Sequence, residues 1–149
     1  MVKIRYLLDT NILSEEVKPR PNPHVMQRLQ EHRNELSTAT VVWHELWFGC
    51  YRLPESRKRQ HIERYLTNIL LPHLSILPYT QAAAEWHASE RARLAGIGLP
   101  PPFADGQIAA IAKVNNLIVV TLNDADFKRF DGLSVENWFL PKSEKNPAY

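Results

Sequence analysis

The sequence predicts an α/β fold: a single α/β/α sandwich with a mostly parallel central sheet and helices on both faces. Three observations carry that prediction. Short apolar runs at 4–8, 74–77 and 117–121 lack the alternation of a strand with one wet face, so they read as strands covered on both sides. Helical patterns separate these runs, and strands alternating with helices build a parallel sheet through right-handed crossovers. The chain has 149 residues, 44% of them hydrophobic and 23% charged, which suits one domain with a real core.

The first strand, 4–8, has Arg5 as its one charge and gives way at Asp9 to a short helix reaching Glu16. Pro19, Pro21 and Pro23 stiffen the next connection. Pro23 belongs in the first turn of a second helix that ends near His32. A short strand is expected at 35–38. Thr40 is a candidate N-cap for a helix over 41–53, which Pro54 closes. Ser56 caps another helix to Leu70, bearing Arg57, Lys58, Arg59 and Arg64. The strand 74–77 lies between Pro72 and Pro78, and Thr80 opens an alanine-rich helix to Ala95. Residues 96–102 must form a loop, since neither a helix nor an inner strand tolerates that density of Gly and Pro. A helix over 105–115, the strand 117–121, a turn or short helix over 123–127 and a last strand at 133–135 follow. The domain is expected over 1–140, with a polar, fraying tail at 141–149.

Composition narrows the function classes. No apolar run approaches the length of a membrane span, and the amino terminus enters a strand pattern directly, so neither a membrane segment nor a signal peptide is expected. The single cysteine, Cys50, excludes an internal disulfide, fits the reducing cytoplasm and reads as inert core. A net charge of +2 is too small to diagnose nucleic-acid binding by itself.

The chemistry lies in the acidic residues. Asp9 ends a central strand, where a carboxylate either caps the next helix or faces the crevice in which open α/β sheets bind ligands. Glu45 lies about 200° round its helix from both Trp43 and Trp47, beside Val41, Val42 and Gly49. It is either a surface glutamate or a carboxylate at a cleft edge. Asp105 begins a small-residue helix that should be buried, where the positive helix end favours its ionised form; the alternative is a simple N-cap. After the strand 117–121 come Asn123, Asp124 and Asp126, which are turn residues or further members of the same crevice. Carboxylates converging on one cleft raise one another's pKa, and a hard cation relieves the repulsion. Oxygen ligands select Mg²⁺ or Mn²⁺ over zinc. The six histidines form no HxxxH or HxH pair, and one cysteine builds no thiolate site.

These residues resemble a known family. The stretch Leu7-Leu8-Asp9-Thr10-Asn11-Ile12-Leu13 is the first of four motifs. His44-Glu45-Leu46 with Gly49, the run from Phe103 through Asp105 to Ala112, and Thr121 with Asn123, Asp126 and Phe127 are the others. In this order, over nearly the whole chain, they resemble the PIN domain of VapC-type toxins. The resemblance implies a Mg²⁺- or Mn²⁺-dependent endoribonuclease of a type II toxin–antitoxin system. It also implies a homodimer and a cognate antitoxin that occludes the site, the complex reaching operator DNA through the antitoxin. By position, Asp9 and Asp105 would be metal ligands, with Glu45 and Asp126 completing the acidic set and Asn11, Thr121, Asn123 and Asp124 as auxiliaries. Many PIN domains have Thr-x-Asp where this chain has Asn123, so Asp126 or Asp124 is left to supply the last charge.

Lys128 and Arg129, next to the proposed site, are candidate RNA contacts; the clusters on 57–64 and at Arg91 and Arg93 read first as solvated helix faces. Trp43 and Trp47 suit core or dimer interface before base stacking. Other readings remain. A dehalogenase-like phosphoryl-transfer enzyme would need an acid at Asn11, and a receiver domain would need adjacent acids after the first strand. A catalytically silent PIN-like binding module would not need Asp9, Glu45 and Asp105 together.

Overall fold

Tyr6, Leu7 and Leu8 are all buried, because the first apolar run becomes the middle of the sheet. In the computed structural model, which describes residues 3–142, this strand, β1 (Tyr6–Leu8), has a partner on each side. β2 (Leu36–Ala39) and then β3 (Ser75–Leu77) extend the sheet one way; β4 (Ile118–Val120) and then β5 (Val135–Glu136) extend it the other. The order is β3-β2-β1-β4-β5, and all four pairings are parallel, with Tyr6 in register with both Leu36 and Ile118. The winding therefore reverses between β1 and β4. At such a reversal the flanking helices part on opposite faces, which leaves a crevice beyond the carboxyl ends of the two strands.

The helices are α1 (Thr10–Glu15), α2 (Pro23–Glu31), α3 (Thr40–Tyr51), α4 (Arg57–Arg64), α5 (Gln81–Gly96), α6 (Phe103–Val114) and α7 (Asp124–Phe127). α6 sits deepest. Its Gly106, Ala109, Ala110 and Ala112 are small enough for close approach, and Ile108 and Ile111 fill the space against the sheet. α5 covers it with Ala83, His87, Glu90 and Leu94, one face at helical spacing. Buried hydroxyls do not go unpaired: Ser37 donates to the Tyr6 carbonyl at 2.8 Å and Thr38 to that of Leu8 at 2.7 Å. Near the end of the described chain, Trp138 is fully buried, edge-on to Tyr6 and stacked on His32. Among the described residues no helix is long and apolar enough to cross a membrane.

The α/β/α reading and the element order hold, with the sheet wholly rather than mostly parallel. Several boundaries differ for local reasons. The first strand begins at Tyr6, although Arg5 still joins the ladder through Glu35 and Ile118. Thr40 is the first residue of α3 and not its cap; β2 runs into the helix without a linker, so Ala39 takes the cap position and offers no side-chain bond. Ser56 does cap α4, accepting from the Arg59 amide at 3.2 Å, but the helix widens into a π turn over Tyr65–Leu70. That widening keeps Tyr65, Leu66 and Leu70 buried. α6 begins at Phe103, so Asp105 lies within its first turn. The last strand starts at Val135 because the chain is still turning at Gly132, where φ is +70°, and at Leu133, whose amide bonds to Phe130. Of the expected tail, Lys142 pairs with Glu31 at 2.8 Å; residues 143–149 lie outside the described ones.

Candidate active site

The crevice at the reversal is lined by Asp9, Thr10, Asn11 and Ser14 from the β1–α1 junction, and by Val41 and Glu45 from α3. Ala104, Asp105 and Ile108 of α6 and Asn123 after β4 complete it. Its volume is about 490 Å³, open to solvent. Three carboxylates far apart in sequence thus share one cleft.

Asp9 is the fixed point. It caps α1, accepting from the Thr10 amide at 2.8 Å through Oδ1. Its Oδ2 accepts from the Thr121 hydroxyl at 2.8 Å and from Nδ2 of Asn11 at 3.3 Å. The cap and the cleft residue are one group, so the two readings of Asp9 do not compete. Thr121 is fully buried and its Oγ1 also accepts from the Asn123 amide at 3.0 Å. Asn11 accepts from the Leu122 amide at 3.1 Å. These bonds sew the ends of β1 and β4 together around one carboxylate. Asp9 is 6% exposed, and burial pushes its pKa up against the pull of its three donors.

Asp105, half-buried in the first turn of α6, does not cap the helix, whose N-cap is Pro102. Its pKa is pushed up to about 6, first by burial, then by the charges of Asp9 and Asp126. Glu45 is exposed at the mouth. Asp9 and Asp105 repel, and the chain places no lysine or arginine among the cleft-lining residues to offset them.

The PIN domain family matches residues 6–133. The chain belongs to the PIN-domain family. It is 33% identical over 137 residues to the tRNA(fMet)-specific endonuclease VapC of Shigella flexneri, covering 91% of this chain and 98% of that protein. It is 34% identical over 137 residues to the toxin FitB of Neisseria gonorrhoeae, covering 89% and 97%. Among solved structures, FitAB bound to an IR36 DNA fragment superposes with a TM-score of 0.87 at 28% identity, covering 94% of this chain and 99% of that one.

The other acidic positions of this PIN domain are dispersed. Asp126 lies in an adjoining pocket with Asp105, Pro101, Pro102 and Arg129; it is largely exposed and 3.7 Å from Arg129. Asp124 turns elsewhere, to Lys128 at 3.5 Å and to Nδ2 of Asn137 at 3.1 Å. Asn123, not an acid, is the member of that turn that lines the cleft. Lys128 and Arg129 are exposed beside it. Arg57, Lys58 and Arg64 are exposed on α4, whereas Arg59 is tied to Glu63 and Arg93 to Glu90.

Sequence reasoning missed Ser14, which stands three residues beyond Asn11 and so returns to the cleft face of α1. The apolar surface that the sequence offers over 41–70 forms a groove of about 240 Å³ between α1, α3 and α4, floored by Leu13, Leu46, Ile62 and Leu66. Thr10, Ser14 and Glu45 line both spaces, so the groove opens into the acidic cleft.

Proposed function

We propose that this chain is the toxin of a type II toxin–antitoxin system, a metal-dependent endoribonuclease acting in the cytoplasm on cellular RNA. The observation that carries the reading is the convergence of Asp9, Glu45 and Asp105 on one open cleft at the strand reversal. The names of two relatives, a tRNA-specific endonuclease and a toxin, support it.

The residues fit a hydrated Mg²⁺ or Mn²⁺. Among the described residues no three His, Cys, Asp or Glu side chains are grouped so that together they could hold a metal ion. Mg²⁺ does not ask for three; it is commonly held by one or two carboxylates and keeps several waters. Asp9 and Asp105 supply that pair, and the mutual repulsion that lifts the Asp105 pKa is what a cation between them would relieve. When bound, the ion would supply positive charge that polarises a phosphodiester and makes water a stronger acid.

The chain's own groups do the rest. Thr121, Asn11 and the Thr10 amide hold Asp9 in one orientation, with no reorganisation left to make. Glu45, at the solvent edge, takes the proton of the attacking water, with Asp126 beside Asp105 as the alternative acceptor. Asn123 contacts a phosphate oxygen, and Lys128 and Arg129 hold neighbouring phosphates. Attack by water on phosphorus expels the 3′ oxygen and leaves a 3′-hydroxyl and a 5′-phosphate.

The cognate antitoxin occupies the apolar groove and reaches from it over the cleft, stopping cleavage; bound to the toxin, it carries the complex to operator DNA. A structure of FitAB bound to a DNA fragment supports the partner and the link to DNA. α3 turns Phe48 and Tyr51 outward, half or more exposed; Tyr51 ends the ladder that Trp43 and Trp47 begin, and Phe48 stacks on His44. A homodimer through this face would cover them.

The deciding experiment is cleavage of total RNA by the wild-type chain and by Asp9→Asn. Cleavage with Mg²⁺ or Mn²⁺, lost with chelator and in the variant, is expected. A 2′,3′-cyclic phosphate at the cut ends would overturn the water mechanism, and equal activity in both proteins would overturn the site.

A further inference from the structure

The first turn of α6 carries Asp105, yet no side chain caps that turn. What sets its position lies beneath it. His87, from the buried face of α5, is 1% exposed. Its Nδ1 is 2.8 Å from the Tyr79 hydroxyl, which fixes the rotation of the ring. Phe103, in the same first turn as Asp105, packs on the imidazole with centroids 4.9 Å apart, and the Arg91 guanidinium lies 5.3 Å from the Phe103 ring.

Gly106, the residue after Asp105, meets the edge of that ring. A Cβ placed on Gly106 would stand 2.0 Å from Nε2, 2.5 Å from Cδ2 and 2.9 Å from Cε1 of His87. The imidazole fills the volume that a side chain at 106 would occupy, and the α6 backbone rests on it directly. Nε2 has no hydrogen-bond partner, although it is buried. A buried unpaired nitrogen is destabilising, and an apolar filler would avoid it. The ring is kept nonetheless, with one nitrogen tied to Tyr79 and the other pressed against the helix.

We infer that His87, locked by Tyr79, is a positioning residue for Asp105: its imidazole edge against Gly106 sets the height and rotation of the first turn of α6, and with them the place of the Asp105 carboxylate relative to Asp9. The inference rests on the reading of Asp9 and Asp105 as the metal-holding pair. A displaced carboxylate weakens metal binding and the chemical step, while the surface that holds RNA is untouched.

The probe is Mn²⁺ alone, titrated onto the purified full-length chain and followed by electron paramagnetic resonance. Gly106→Ala drives a methyl into the ring and is expected to weaken Mn²⁺ binding about tenfold and to lower kcat alike, with the KM for RNA nearly unchanged. Wild-type affinity in Gly106→Ala overturns the inference. Where Gly106→Ala fails to fold by circular dichroism, folded His87→Ala decides: weakened Mn²⁺ binding supports the inference and wild-type binding overturns it. A second readout needs no metal. The ¹³C resonance of the Asp105 carboxyl, assigned by its loss in Asp105→Asn, should move in His87→Ala at fixed pH. If the wild-type chain binds no Mn²⁺, the metal reading falls, and this resonance still decides the positioning: a shift supports it and no shift overturns it.

Discussion

At Asp105, burial and two neighbouring carboxylates push in one direction, raising the pKa from an ordinary 3.8 to about 6. As pH rises from about 4, the unfolded chain loses this proton first, so the group's contribution to stability declines until the folded state has titrated as well, near pH 6. Without metal, Asp105→Asn is therefore expected to stabilise the fold by up to about 3 kcal/mol above pH 7 and to change it little near pH 4. Urea unfolding at both pH values measures this, and equal stability of the two proteins at the higher pH would contradict the raised pKa. Thr121 gives a different kind of expectation. Its hydroxyl donates to Asp9 and accepts from the Asn123 amide, so Thr121→Val frees a carboxylate that is otherwise held. A fall in kcat of about tenfold with a smaller change in KM is expected in steady-state cleavage. Asp9 and Asp105 were legible in the sequence because an acid at a strand end or in a buried helix is conspicuous. His87 was not, since one histidine in an alanine-rich helix looks like any other core residue until the packing against Gly106 is seen.

Among the elements, those with a chemical start signal were the easiest to read. Ser56 and Thr80 cap α4 and α5 as their side chains suggest, Thr80 accepting from the Ala83 amide at 3.2 Å. Thr80→Ala is expected to lower stability by about 1 kcal/mol, measured by thermal or urea unfolding. Thr40 misled because the rule for caps assumes a linker, and β2 has none before α3. The π turn at Tyr65–Leu70 has no local signature; it is imposed by burying Tyr65, Leu66 and Leu70 in one stretch. The groove between α1, α3 and α4 is likewise a product of packing. Leu46 is half-buried on its wall, next to Glu45. Leu46→Lys is expected to weaken antitoxin binding at least tenfold, as loss of a central apolar contact does. Cleavage by the free chain should stay within about twofold, since the residue is not in the acidic cleft. Calorimetric titration with the antitoxin, beside an RNA assay, separates the two.

For the whole molecule, the parallel sheet followed from the apolar runs, whereas the strand order did not, because nothing local says that the fourth strand returns to pair with the first. That return makes the site. The metal proposed between Asp9 and Asp105 would bind only the folded chain, so Mg²⁺ at about a hundred times its Kd is expected to add about 2.7 kcal/mol of stability. The corresponding rise in Tm should vanish in Asp9→Asn; a rise that persists would place the ion elsewhere. The same return has a consequence for synthesis. Asp9 and the Thr121 that steadies it are 112 residues apart, and β1 has no β4 beside it until nearly all of the chain has been made. Domains take shape from the amino end as they emerge. The bond from Thr121 to Asp9 can form only after Thr121 has been made, so the cleft is completed late in synthesis.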